Sequence, residues 1–245
     1  MSGRNPPPPI ELSTVDRLRC VVCAHDWDFE RLRSEEIDAH WRARLAANPA
    51  LYDGPVLMAR EAENAREADG STTLRVQFFP TRFSRFLAWR DFGFPGEGVR
   101  NCFSMPALRS ADGAFLLGEM GAGHSAAGAI YFPAGTPDPS DIRDGFVDLE
   151  SNLLRELHEE TGVAPEEVRL EPRWTIVRAG SRVACLRIAH CAETAAALER
   201  RIGAFIATQE KPELAGVRMA ARRADLAEPR LLDFIRRFLE PLLPE

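Results

Sequence analysis

The sequence predicts an α+β protein, and three observations carry that expectation. Extended, β-branched stretches alternate with stretches of helical periodicity along the 245 residues, without an internal repeat. Hydrophobic residues make up 45% and charged residues 28%, the balance of a folded chain with a sizeable core. One stretch, Arg155-Glu156-Leu157-His158-Glu159-Glu160-Thr161-Gly162-Val163, reads as a helix end with an acidic face and a glycine stop, and the remainder is organised around it.

Residues 1–9 end in four prolines and read as an extended, poorly ordered tail. Leu18 to Ala24 is apolar enough for a strand. Alternation there sends Cys20 and Cys23 to opposite faces, so the pair reads as inert thiols and not as a chelate. Asp28 to Ala47 has the spacing of one long helix, through Phe29, Leu32, Ile37, Trp41 and Leu45, and Asn48-Pro49 stops it. Leu51 to Met58 turns into a strand. Thr72 to Phe79 is a strand with Leu74, Val76 and Phe78 inward, ended by Pro80. Thr81 to Arg90 then forms a short helix whose aromatics stand among Arg82, Arg85 and Arg90. Arg82 and Arg85 are candidates to stack on a base or clasp a phosphate, beside the plainer reading of solvated arginines.

Val99 to Leu108 and Ala114 to Met120 form a hairpin about Ser110-Ala111-Asp112-Gly113. The Gly- and Ala-rich stretch Gly118 to Gly128 can bring backbone amides and His124 to a diphosphate, or can be a surface loop with a solvated histidine. Ala129 to Phe132 is a short strand. Asp148 caps the central helix, which runs to about Glu160. Strands follow over Arg169 to Arg178 and Arg182 to His190, then a helix over Glu193 to Thr208 and a last strand over Gly216 to Ala220. Pro229, as the first helical residue, opens a C-terminal helix. The division expected is the tail over 1–9, an N-terminal α/β lobe over 10–95 packed on the core, and the main domain over 96–245.

In the central helix Glu156, Glu159 and Glu160 stand at i, i+3 and i+4 and share a face, while Leu149, Leu153 and Leu157 fill another. Like charges at this spacing repel by roughly 0.2–0.5 kcal/mol per pair, and two of them sit at the negative end of the helix dipole. A hard divalent cation, Mg²⁺ or Mn²⁺, reverses the sign of these terms, because it takes clustered carboxylate oxygens.

The spacing R-E-L-x-E-E-x-G-V resembles the second half of the Nudix box, matched at Arg155, Glu156, Leu157, Glu159, Glu160, Gly162 and Val163. The first half does not match: Val147 stands where the family has Glu, and Asp141 where it has its first Gly. Phe132-Pro133-Ala134-Gly135 looks like the strand end and glycine loop that open the box, with a longer loop following. The resemblance implies the Nudix fold, a mixed sheet sandwiched between helices, and a divalent-metal-dependent hydrolase acting on the diphosphate of a nucleoside diphosphate linked to another moiety. It implies that Glu159 and Glu160 ligate metal, that Glu156 ligates or serves as general base, that Arg155 orients them, and that the Ala134 carbonyl is a further ligand. Of the late-loop carboxylates Glu210 ranks before Glu213, on position alone. The N-terminal combination His40-Trp41, Asn48-Pro49 and Tyr52-Asp53-Gly54 is similar to larger family members acting on UDP-sugars, which hints at a nucleotide sugar. A Nudix-fold nucleotide-binding module, weak or inactive as an enzyme, is the alternative.

The formal net charge of −6 argues against nucleic acid as a partner and leaves a small-molecule nucleotide. No apolar run approaches the length of a membrane span, and no G-x-S-x-G elbow supports a serine hydrolase. Five scattered cysteines fit a reducing cytoplasm. The resemblance leaves the oligomeric state open, with a homodimer frequent in the family.

Overall fold

The structure is a computed structural model and describes residues 9–245, so the tail expected over residues 1–9 lies, but for Pro9, outside the described residues. β1 (Ile10–Val15) and β2 (Arg17–Val22) are consecutive strands that enter different sheets. Asp16 is the joint. Its Oδ2 accepts from the Thr72 amide at 2.7 Å and the Thr72 hydroxyl at 2.8 Å, while Oδ1 faces Arg173 at 3.1 Å. β1 has no counterpart among the sequence expectations.

The helix expected over Asp28 to Ala47 is two: α1 (Asp28–Leu32) and α2 (Ser34–Ala47). Arg33 leaves the helical region at φ −124° and ψ 25°, which lets its guanidinium lie 4.7 Å from the Phe92 ring centroid and bond Glu36. β3 (Pro55–Arg66) and β4 (Thr72–Arg82) form a long antiparallel pair. β4 continues past Pro80, contrary to expectation. Pro80 stands opposite Leu57, whose amide turns away to the Pro137 carbonyl at 2.7 Å, so the missing N–H interrupts no bond between the two strands. α3 (Phe83–Asp91) follows.

The expected hairpin is β5 (Asn101–Arg109) and β6 (Phe115–Met120), with β7 (Ile130–Tyr131) added to β6. The long loop before the central helix folds into a small hairpin, β8 (Ile142–Arg143) and β9 (Phe146–Val147), that pairs with β2. α4 (Leu149–Thr161) is capped by the Asp148 side chain, which accepts from the Ser151 amide at 3.0 Å. It ends at Gly162 in the left-handed region, φ 71°. The single strand expected over Arg169 to Arg178 is parted at Glu171-Pro172-Arg173 into β10 (Val168–Leu170) and β11 (Trp174–Ala179). β12 (Arg182–Cys191), α5 (Ala195–Thr208) and β13 (Leu214–Ala220) complete the middle. The last helix, α6 (Asp233–Leu239), does not start at Pro229. Ile130 claims that segment: its amide bonds the Arg230 carbonyl at 3.0 Å and its carbonyl takes the Leu232 amide at 3.2 Å.

The larger sheet runs β1-β11-β12-β5-β6-β13, with β10 on β12 and β7 on β6; the smaller runs β3-β4-β2-β9-β8. Both are mixed, with β5/β12 and β2/β4 parallel. Alternation along the strands builds three cores. Cys102, Val183 and Cys185 of the larger sheet meet Leu57, Leu74, Val76 and Phe78 of the smaller, with Leu149 and Leu153 of α4 between them. Phe103, Met105, Ala184 and Leu186 point to the other face of the larger sheet, where α5 and α6 cover them. Val56, Met58 and Phe79 look outward from the smaller sheet onto Trp27, Phe29, Ile37 and Trp89. Strand β1 lies in the larger sheet and β8 and β9 in the smaller, so the division at residues 95 and 96 does not follow the division between sheets. No helix among the described residues is long and apolar enough to cross a membrane.

A Cβ at Gly162 would stand 2.7 Å from Phe205 Cδ2 on a left-handed backbone, whereas one at Gly203 in α5 meets nothing within 4 Å. Gly162→Ala is expected to lose about 1–3 kcal/mol in urea unfolding and Gly203→Ala to gain roughly 0.5–1 kcal/mol. Equal effects would contradict the cap.

Candidate active site

The apolar stripe of α4 decides where its acids go. Leu149 and Leu153 are held between the sheets and Leu157 in the adjoining core, so the opposite face looks at the loop leaving β7. Glu160 is buried there. Its Oε1 accepts from the Ala134 amide at 3.0 Å, and its Oε2 is buried without a hydrogen-bond partner. Glu156, also buried, lies against Gly135 so closely that a Cβ at that position would overlap the carboxylate. Glu159 is the exposed member.

Arg155 stands among these acids. Its Nη1 is 2.9 Å from Glu156 Oε1 and 3.2 Å from Glu159 Oε2, and its Nη2 donates to Asp141 Oδ1 at 3.1 Å. Asp141 is 4% exposed and also accepts from Asn152 Nδ2 at 3.0 Å and from the Asp138 amide at 3.0 Å. Asn152 is held in turn by the Ser104 hydroxyl at 2.8 Å. Val147, where the Nudix pattern has its acid, is buried in the core between the sheets. The acid beside Arg155 comes instead from Asp141, through the long loop.

Removal from water raises Glu156 to about 7, against the pull of Arg155 and with further push from Glu159, Glu213 and Asp141. Glu160 is raised well above the usual carboxylate range, first by burial and then by Glu213 and Glu156. Glu213 is raised by desolvation and by Glu159. Five carboxylates, Asp141, Glu156, Glu159, Glu160 and Glu213, therefore crowd one place with a single guanidinium among them.

Arg155, Glu156, Glu159 and Glu213 border a cavity of about 580 Å³ between α3 with the loop before β3 and the covered face of the larger sheet. Phe103, Met105, Tyr131 and Phe234 form its apolar side, and Glu156, Glu159, Glu213 and Arg155 its acidic end. Ala134 and Gly135 line it from the loop. His124 lines it too: its Nδ1 accepts from the Ala126 amide at 3.0 Å, which leaves Nε2 to carry the proton, and burial lowers its pKa. The loop bearing His124 is tied back by Asn48 Nδ2 to the Gly123 carbonyl at 2.9 Å and by Arg90 to Ser125 at 3.1 Å.

Three residues singled out in the sequence stand elsewhere. Arg82 pairs with Asp53 at 2.9 Å, and Arg85 bonds Ser84 and faces Asp38 and Glu30. The helical period explains this: Phe83, Phe86 and Arg90, at i, i+3 and i+7, share the cavity face of α3, and Arg85 lies on another. Glu210 is exposed in the turn after α5, and Glu213 lies at the cavity instead. The Glu213 carbonyl takes the Gly121 amide at 2.7 Å where β13 joins β6, and this sets its carboxylate beside the box loop. Arg90, named in the sequence beside Arg82 and Arg85 but not carried forward as a candidate, does reach the cavity, and its spacing from Phe83 and Phe86 is the signal that separates it from them. Asp141 and Arg182 were given no role from sequence.

Among the described residues no three His, Cys, Asp or Glu side chains are already arranged to hold a metal ion. Arg155 occupies the middle of the acids instead. In donor chemistry the set still suits a hard cation, since every donor is an oxygen, the charge excess is negative, and Glu160 Oε2 is buried with nothing to bind it.

The chain is similar in structure to solved Nudix hydrolases. The RenU Nudix hydrolase of M. smegmatis matches at 17% identity over 55% of this chain and 76% of that one, with a TM-score of 0.36. The MutT protein of Methanosarcina mazei Go1 matches at 15% identity over 58% and 94%, with a TM-score of 0.37. A C. elegans Ap4A hydrolase, solved as a binary complex, matches at 12% identity over 56% and 92%, with a TM-score of 0.34. No family model and no curated protein matches the chain.

A carboxylate raised from its ordinary 4.5 to about 7 binds a proton more tightly folded than unfolded, so Glu156 lowers stability as pH rises across that window. In metal-free buffer the wild type is expected to lose about 1–3 kcal/mol between those pH values, and Glu156→Gln to lose distinctly less. Denaturant unfolding at a series of pH values measures it. An identical slope in the two proteins would remove the desolvation account of Glu156.

Proposed function

We propose that this protein is a divalent-metal-dependent hydrolase that cleaves the diphosphate of a nucleoside diphosphate linked to another moiety. One observation carries the reading: Glu156, Glu159 and Glu213 border one end of a ligand-sized cavity, with Glu160 buried beside them and only Arg155 to balance the acids. An arrangement that costs stability and sits at a cavity fits a function better than a solvated face does. The match of Arg155 to Val163 with the Nudix motif supports the same chemistry.

Glu160 and Glu159, with the Ala134 carbonyl as a further oxygen, would hold Mg²⁺ or Mn²⁺. Glu159, exposed and on a flexible side chain, is the one able to turn from Arg155 toward an ion. Bound there, the cation would neutralise phosphate charge and lower the pKa of an attacking water. The residues themselves do the rest. Arg155, fixed by Asp141, keeps Glu156 and Glu159 in place by charge-assisted bonds. Glu156, titrating near neutrality and bordering the cavity, is suited to take a proton from water at its carboxylate. Tyr131, Phe103 and Phe234 offer flat apolar surface for a base. His124 can donate from Nε2 to a phosphate oxygen.

A binding module without turnover is the second reading, favoured by the guanidinium that already engages Glu156 and Glu159 and by the core residue Val147 in place of the box acid. Assays of phosphoryl release with Mg²⁺ or Mn²⁺, over UDP-sugars, ADP-ribose, NADH and coenzyme A, separate the two. Turnover is expected with at least one of them and is expected to vanish with chelator. Glu159→Gln and Glu160→Gln are expected to lower it about a hundredfold or more with the fold intact. Wild-type activity in both variants would rule out the metal assignment.

A further inference from the structure

The cavity has a second, basic side that the proposed hydrolysis does not use. Arg182 opens β12 beside Asn101, its register partner on β5, and both line the cavity. The guanidinium lies over the Phe94 ring, 5.1 Å from its centroid, and no carboxylate among the described residues pairs with it. Burial lowers its pKa, and Arg90 lowers it further. Arg90 lines the same cavity and is steadied by Ser125 Oγ at 3.1 Å and Asp91 at 3.1 Å. Asn101 Oδ1 is buried and has no hydrogen-bond partner.

A second observation concerns the ring beneath Arg182. Phe94 has φ 61°, a conformation that bulky side chains rarely adopt. It is kept there from several sides: its amide bonds the Trp89 carbonyl at 2.8 Å, Trp89 Nε1 donates to the Pro95 carbonyl at 3.0 Å, and the two rings meet edge to face at 4.9 Å. Strain of this kind persists where the surroundings over-determine it, and such places are often ligand cradles. Two guanidiniums repel each other, and desolvating one without a counter-ion is unfavourable. The ring offsets part of that. An anion would offset the rest.

We propose that Arg182, with Arg90 beside it, is an anion subsite for a second charged group of the ligand, a phosphate monoester or a carboxylate remote from the diphosphate. The proposal rests on the reading of the ligand as a nucleoside diphosphate derivative. The Tyr131 ring lines the same cavity, and its hydroxyl feels the charges of Glu160, Glu213 and Arg90.

Calorimetric titration in metal-free buffer tests it without any need for turnover. The ligands are paired to differ in one anionic group: coenzyme A with dephospho-coenzyme A, NADPH with NADH, and UDP-glucuronate with UDP-glucose. The more anionic member of at least one pair is expected to bind wild type about tenfold or more tightly. Arg182→Gln is expected to abolish that preference while leaving the less anionic member unchanged, and Arg182→Lys to restore part of it. A preference in the first two pairs assigns the subsite to phosphate, and one in the third to carboxylate. Equal affinities within every pair, absence of binding included, overturn the proposal, as does a preference that survives Arg182→Gln. A protein that hydrolyses none of these ligands yet keeps the Arg182-dependent preference would lose the function proposed above and retain the subsite. One that hydrolyses them without preference would do the reverse.

Discussion

Keeping glutamates out of water beside a single arginine is the constraint on which the site depends. Desolvation raises the cost of every negative charge, and charges of one sign raise it again. Arg155 answers three acids at once, Asp141, Glu156 and Glu159, and leaves Glu160 with one backbone amide and one unbound oxygen. Several features follow from this. A Cβ at position 135 would displace the Glu156 carboxylate from where it lies. Asn152 and Ser104 form a buried relay whose purpose is to position Asp141, the acid that faces the guanidinium.

The two sheets supply the rigidity that such an arrangement needs. α4 is anchored by Leu149 and Leu153 between the sheets and by Leu157 in the adjoining core, so the acidic face cannot rotate toward solvent without exposing three leucines. Burial of each is worth about 1.5–3 kcal/mol, more than like-charge repulsion along the helix. Packing therefore wins over local electrostatics. A proton on the acids removes the repulsion and leaves the packing unopposed, and this makes pH a natural variable for the protein.

The cavity joins parts that are distant in the chain. Phe83, Phe86 and Arg90 come from α3, Phe103 and Met105 from β5, and Glu213 from the start of β13. Its lining carries both signs of charge, with Glu156, Glu159 and Glu213 on the one hand and Arg90 and Arg182 on the other.

The central helix was legible in the sequence because everything that makes it is local: Asp148 at its start, leucines at four-residue steps, acids at three and four, and Gly162 at its end. The same holds for α5 and for the β5/β6 hairpin. Elements decided by remote partners were not. β1 exists because β11 offers an edge, β4 passes through Pro80 because Leu57 looks the other way, and α6 starts late because Ile130 binds the chain ahead of it. Among the site residues, the sequence by itself determined the three glutamates and Arg155, whose mutual spacing is a property of one helix. Only the tertiary structure decided that Asp141 pairs with Arg155 while Val147 lies in the core, that Glu213 and not Glu210 joins the acids, and that Arg90 and Arg182 reach the cavity while Arg82 and Arg85 do not. Helical periodicity extends over a few turns; the meeting of a loop, a strand end and a helix face is set by core packing across the whole chain.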